Sequence, residues 1–441
     1  MPQKDREDKN MLLKRRLATY ICLFVVLAAE SLPINHPISA QTSIPITLTV
    51  VPSQQSQVFT GMNGVTFLDA QHGWMFAGYQ VMPNYESLDT VDATTDGGRT
   101  WQTRSVLCPS QTKLCPANRG NDDPVLSLRF VNTQDGWAFG PGLFATHDGG
   151  VTWQQVNVSG DIMDLTIVEG TVQALQYTCS TTVPVHCTYA LLRSMNNGQT
   201  WQARALPSAI IGAADFTTLD SQNLYLLGRT APDPVAPQSV YGGDDNQLFD
   251  KQLLLSSNNG GLTWHASDIP YQCSDTWDYV AVIDAHNLWL ACGWILGAGA
   301  GLTWVYTSSD GGVSWQMKPE ATSASSEDNV ISSSGYLQNI YAFSTQSAWV
   351  TFRRAPPMST NDGGKSWHEI NGLGDFEQGI SVIHLDDQHI WIYSPDLLLG
   401  TSDGGLTWVC QRANYDYGDG WECAQLGSAT DPRNATPYPQ P

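Results

Sequence analysis

The chain is short of charge, and shortest of basic charge: its 441 residues include 21 Lys and Arg against 42 Asp and Glu, a formal net charge of −21. That deficit argues against non-specific nucleic-acid binding, which needs a basic surface to displace counterions from phosphates. It argues equally against docking on anionic lipid. Long apolar runs are also missing. Leu17 to Ala29 is uncharged and mostly apolar, but a membrane-spanning helix needs about 20 such residues. Preceded by Lys14, Arg15 and Arg16, and followed by Ile38-Ser39-Ala40 as a cleavage tripeptide, residues 1–40 read as a secretory signal, with a retained N-terminal anchor as the alternative. The segment carries six basic and four acidic groups, so cleavage leaves a net charge of −23. No CxxC pair, Gly-x-Ser-x-Gly elbow or phosphate loop occurs. Asp244, Asp245, Asn246 and Asp250 lack EF-hand spacing and read as a solvated acidic loop. No cofactor or metal is expected.

What is abundant is Gly (39), Pro (24) and Trp (16), the composition of a turn-rich β protein. One octapeptide, Ser/Thr-x-Asp/Asn-x-Gly-x-Ser/Thr-Trp, recurs at 94–101, 146–153, 194–201, 257–264, 308–315, 360–367 and 401–408. Its tryptophans lie 52, 48, 63, 51, 52 and 41 residues apart. Ahead of the boxes stands a second pattern: an apolar strand, a short polar turn, then a strand with an aromatic residue. VTFLDAQHGWMFAG (65–78) and VAVIDAHNLWLACG (280–293) show it plainly, and 162–175 shows it least, without an aromatic in its second strand. Each unit therefore reads as four short strands. Seven such units predict an all-β fold, a seven-bladed β-propeller of four-stranded antiparallel blades over 58–412. Residues 41–57 are an N-terminal extension with a possible ring-closing strand at 44–51, and 413–441 an acidic, Pro-rich tail.

In these boxes the sequence resembles the Asp-box, or bacterial neuraminidase repeat, proteins: sialidases, sortilin-type receptors, two-propeller xyloglucanases and, most similar in size and rhythm, the photosystem II stability/assembly factor family. The resemblance implies that Asp96, Asp148, Asn196, Asn259, Asp310, Asp362 and Asp403 are turn scaffold. It also implies a binding or assembly-factor-like role rather than catalysis. A sialidase would need an arginine in a Phe-Arg-Ile-Pro-like strand of the first unit. The nearest string, Phe352-Arg353-Arg354-Ala355-Pro356, lies in unit six, and Arg129 stands isolated. A cleft between two propellers, as in xyloglucanases, cannot form from material for one. No catalytic residue is assigned, and a lectin-like or glycoside hydrolase activity is the alternative class.

Strands in a blade alternate in direction, so the strand 1–2 turns and the boxes share one face while strand 2–3 loops and blade links share the other. Insertions at 79–91, 105–124, 176–188, 229–251, 266–278, 294–303 and 317–335 all fall on that second face, the expected site for a protein partner, with carbohydrate possible. Cys22 lies in the signal. The other eight, paired by proximity, give Cys108–Cys115, Cys179–Cys187, Cys273–Cys292 and Cys410–Cys423, the disulfides of an exported chain. Seven Trp are box residues and five take the second-strand position, leaving Trp277, Trp294, Trp304 and Trp421. The first three flank the insertions of unit five. They either pack on their own blade or form a partner- or sugar-binding patch. The expected form is a monomer.

Overall fold

The computed structural model describes residues 38–39, 57–81, 86–106, 127–140, 142–179, 187–208, 210–230, 251–273, 277–297, 300–318, 330–331, 335–370, 373 and 376–413. The possible strand at 44–51, the acidic loop at 244–250, and Cys108, Cys115, Cys423 and Trp421 lie outside them. The described strands form seven antiparallel sheets, each with four strands in chain order: a seven-bladed β-propeller. Blade one comprises Gln57–Phe67, Gly73–Val81, Glu86–Thr94 and Gln102–Val106. Blade seven comprises Ser381–His384, Ile390–Tyr393, Leu397–Thr401 and Val409–Ala413. A two-residue bridge, Ile38–Ser39, pairs with Thr200 and Trp201 on the outer strand of blade three. Cleavage after Ala40 would remove it.

Second strands are mostly apolar because both of their faces are covered. In blade one Trp74 and Phe76 join the cluster shared with blade two, while Met75, Ala77 and Tyr79 join the cluster shared with blade seven. Alternation of period two thus aims one strand at two neighbours.

Each box is a self-contained hydrogen-bonded turn. Asp96 Oδ1 accepts from Thr94 Oγ1 (2.8 Å) and from the Thr100 N–H (2.9 Å), and Oδ2 accepts from Thr100 Oγ1 (2.6 Å). Asp148, Asp310, Asp362 and Asp403 repeat this arrangement. Asn196 and Asn259 keep the accepting oxygen but donate through Nδ2 to Thr200 and Thr263 Oγ1. The paired glycines are forced: Gly149 has φ +74°, and a Cβ there would meet the Thr133 carbonyl at 2.8 Å. The same Gly149 N–H donates to Gln134 O, tying the box to the strand 1–2 turn. Equivalent bonds recur in five other blades, from Gly97, Gly260, Gly311, Gly363 and Gly404. This face of the disc is therefore short and stitched.

Blades are joined by the second-strand tryptophan. Trp74 stacks on Phe130 of blade two at 3.8 Å, and its Nε1 donates to Gly149 O at 3.1 Å. Blade three has Gln173 at this position, fully buried. There Arg193, 3% exposed, and Arg204 donate instead to Gly260 O, the equivalent carbonyl of blade four. The weakest sequence repeat thus keeps the inter-blade hydrogen bond with a different donor.

Candidate functional site

The two faces of the disc differ in build. On the face opposite the boxes, the strand 2–3 hairpins of blades one, three and five are elongated. Pairing continues to Val81–Glu86, Cys179–Cys187 and Gly297–Ala300. Within the segments 79–91, 176–188 and 294–303, read from the sequence as insertions, the described residues flanking each tip are paired strand. Continuous cross-strand bonds satisfy their backbone. The larger parts of 105–124, 229–251 and 317–335 lie outside the described residues.

Disulfides join Cys179 to Cys187 and Cys273 to Cys292. Cys410 is also bonded, to a cysteine outside the described residues. The first bridge clamps the blade-three arm across its register. The second is buried and fastens the link entering blade five to that blade's second strand. Asp278 lies close enough to both of its sulfurs to suggest a metal cluster. Sulfurs joined to each other are not thiolate ligands, however.

The structure separates the three candidate tryptophans. Trp304 is 0% exposed, pairs across from Cys292, and packs with Tyr225 and Leu254 of blade four. It is a core residue, so of the two readings offered for it packing is the one its burial fits, and it adds nothing to a surface patch. Trp294 is half-buried against the same cluster. Trp277 begins the first strand of blade five opposite Gly293, and its side chain lies outside the described set. Exposed apolar surface is supplied instead by residues that pattern reading passed over. Ile295 (41%) and Leu296 (55%) stand on the blade-five arm. Met163 and Ile211 stand at the same end of the first strands of blades three and four, Asp161–Val168 and Ile210–Thr218.

The innermost strands leave free edges around the central axis, and polar side chains at register breaks cap them. Asp215, at a break in its pairing with blade four's second strand, accepts from the Val280 N–H of blade five at 2.8 Å. Tyr341 of blade six similarly accepts from the Val382 N–H of blade seven, and burial pushes its hydroxyl up to about 12. Asp164, at the corresponding break in blade three, accepts from the Leu165 N–H. Burial raises its carboxyl, and the nearby Arg129 charge opposes the shift. Burial, reinforced by the Asp164 charge and opposed by the Val280 N–H, raises Asp215 to about 7. Sequence spacing gave no reason to single out these two carboxylates.

The sign of the linkage follows. A carboxyl raised above its unfolded value of about 3.9 binds its proton more tightly in the folded state, so its contribution falls as pH rises from about 4 to about 7 and is flat above. Asp215→Asn, which keeps the accepting oxygen, is expected to abolish that slope. Thermal melts at pH 8 should show a gain of roughly 2 °C, with no change at pH 4. An unchanged slope would remove Asp215 from the account.

Two of the arginines weighed against a sialidase pattern have local partners. Arg354 pairs with Glu377 at 3.1 Å on the surface, and Arg129 donates to Leu128 O and lies over the Phe139 ring.

These observations define a seven-bladed propeller with Asp-box turns on one face and reinforced arms on the other. No family model matches the sequence, and no curated protein matches it. Among solved structures, YCF48 from Cyanidioschyzon merolae aligns over 80% of this chain and 95% of its own, at 13% identity and a TM-score of 0.48. YCF48 bound to D1 peptide aligns over 80% and 96%, at 14% and 0.48. A polysaccharide lyase, PL25 ulvan lyase bound to -[GlcA(1-4)Rha3S]-, aligns over 80% and 94%, at 11% and 0.44. At such identities the likeness is one of fold.

Proposed function

We propose that this protein is an exported, non-catalytic scaffold that acts in the manner of an assembly factor, capturing a protein partner on its arm-bearing face. The carrying observation is the asymmetry of the disc. One face is closed by short turns bonded to one another. The other bears long hairpins, two of them adjoining disulfides, with Ile295, Leu296, Met163 and Ile211 exposed. A rigid platform with projecting elements and exposed apolar side chains is suited to anchoring a partner at low entropic cost. The net charge of −21 favours an apolar partner segment flanked by basic residues. Disulfides belong to an oxidising compartment, in keeping with export. The test compares two double variants in capture from the native host. Ile295→Glu with Leu296→Glu is expected to weaken capture about tenfold or more. Leu262→Glu with Val313→Glu, exposed apolar residues of the box face (67% and 65%), is the control.

A further inference from the structure

Blade three departs from the other blades at two positions that face each other. Elsewhere the second-strand aromatic stands opposite a small third-strand residue: Trp74 opposite Ala93, Trp137 opposite Ala145, Trp391 opposite Gly400. Blade three sets Gln173 opposite Arg193 instead. Residues paired across strands share a face, so an amide and a guanidinium occupy space that an indole fills in those blades. Arg204, on the outer strand Thr200–Ala205, reaches the same spot. Arg193 and Arg204 both donate through Nη1 to Gly260 O in the box of blade four.

The two guanidiniums form a concentrated positive charge that the fold does not neutralise. Arg193 is 3% exposed, and Arg204 is half-buried. Burial lowers the pKa of Arg193, and burial followed by the Arg193 charge lowers that of Arg204. Among the described residues no carboxylate pairs with either arginine, and no acceptor meets the Nε–Nη2 edge of either. Arg193 Nε is buried without a partner, as are both amide atoms of Gln173, itself 0% exposed. The boxes deepen the deficit. Five of the seven carry Asp, and the two that carry Asn, at 196 and 259, are the two that meet at this seam. Arg193 and Arg204 flank the first in sequence and bond to the second through Gly260. A buried cation without a counter-charge is costly, and an anion brought to it offsets that cost.

We propose that this seam binds a doubly charged tetrahedral oxyanion, sulfate or phosphate, free or as the monoester end of a larger molecule. Two guanidiniums match its two charges, and an Nε–Nη2 edge is a fork that takes two oxygens of such a group. The solvent-accessible part of Arg204 receives the anion, with Arg193 and the Gln173 amide behind it. A carboxylate would answer one charge and leave the other. The seam adjoins a box, on the face away from the arms, so oxyanion binding does not depend on protein capture.

Calorimetry on the full chain tests this, with sodium sulfate, sodium phosphate, glycerol 3-phosphate and sodium acetate as probes. The titrations are run at pH 8, where phosphate is doubly charged, and at a constant ionic strength of roughly 0.1 M. Sulfate and phosphate are expected to bind saturably with a Kd on the order of 1 mM, and acetate about tenfold more weakly or worse. Binding of glycerol 3-phosphate equal to that of phosphate upholds the site with an ester end as its ligand. Binding about tenfold weaker upholds it with the free ion. Arg204→Gln, which leaves the Arg193 bond to Gly260 O in place, should weaken sulfate about tenfold or more. Arg204→Lys keeps the charge but not the fork and should weaken it about threefold. Arg193→Gln should abolish binding. Absence of saturable sulfate and phosphate binding overturns the proposal. So does equal binding of acetate, which removes the match to two charges. If Arg193→Gln fails to fold, Arg204→Gln decides: unaltered sulfate affinity in that variant overturns the site.

Discussion

Trp391→Ala is expected to destabilise the protein by about 3–5 kcal/mol, read as a lowered denaturant midpoint. Trp391 is 2% exposed in blade seven, and its ring stacks on Phe67 of blade one at 3.8 Å. Phe67 in turn meets the box residue Trp101 edge-on at 6.0 Å. The indole Nε1 donates to Gly97 O at 3.3 Å, but that carbonyl also receives Gln411 Nε2 at 2.6 Å. The loss therefore comes from packing rather than from an orphaned acceptor. Trp391→Phe should recover more than half of it. This stack closes the ring, because it joins the last blade to the first. An effect below about 1 kcal/mol would mean that the closing interface is not packed as described.

Arg412→Met is expected to cost about 3 kcal/mol, through charge rather than volume. The Arg412 guanidinium donates to the Tyr79 hydroxyl, lies 4.6 Å over the Phe59 ring, and stands 3.9 Å from Asp92. Asp92 is 1% exposed and also accepts from Tyr79 and from Thr90 Oγ1. Burial, followed by the Asp92 charge, raises the Tyr79 hydroxyl well above its ordinary value, so it stays a donor to Asp92. Removing the cation leaves a buried carboxylate without its counter-charge. Adding Asp92→Asn to Arg412→Met should therefore restore part of the lost stability, and urea unfolding of both single variants and the double variant measures the coupling. Additive costs would contradict a charge pair at the seam.

Both predictions concern an interface that could not be read from the sequence. The boxes could be, because their chemistry is local: an Asx side chain, a positive-φ glycine and a hydroxyl within eight residues are enough to specify the turn. The second-strand tryptophans of five units were legible too, each following the short polar turn after an apolar first strand. What they touch was not, since Trp391 and Gly97 are 294 residues apart. The inter-blade donor of blade three was hidden for another reason. Arg193 takes over from a missing aromatic on a neighbouring strand, so no pattern at the aligned position could show it. Whether Trp304 packs or lines a patch stayed open because Gly-rich residues 297–301 suggested a loop, whereas the strands on either side pair almost to the tip. Asp164 and Asp215 sit at register breaks, where period-two reading assigns the wrong face.

The central claim is that the arm-bearing face, and not the box face, engages the partner. The capture comparison tests it most directly, with both double variants purified and shown to melt as the parent does. Loss of capture on Ile295→Glu with Leu296→Glu, and normal capture on Leu262→Glu with Val313→Glu, is the predicted result. The reverse pattern, or capture indifferent to the arm substitutions, would contradict the account.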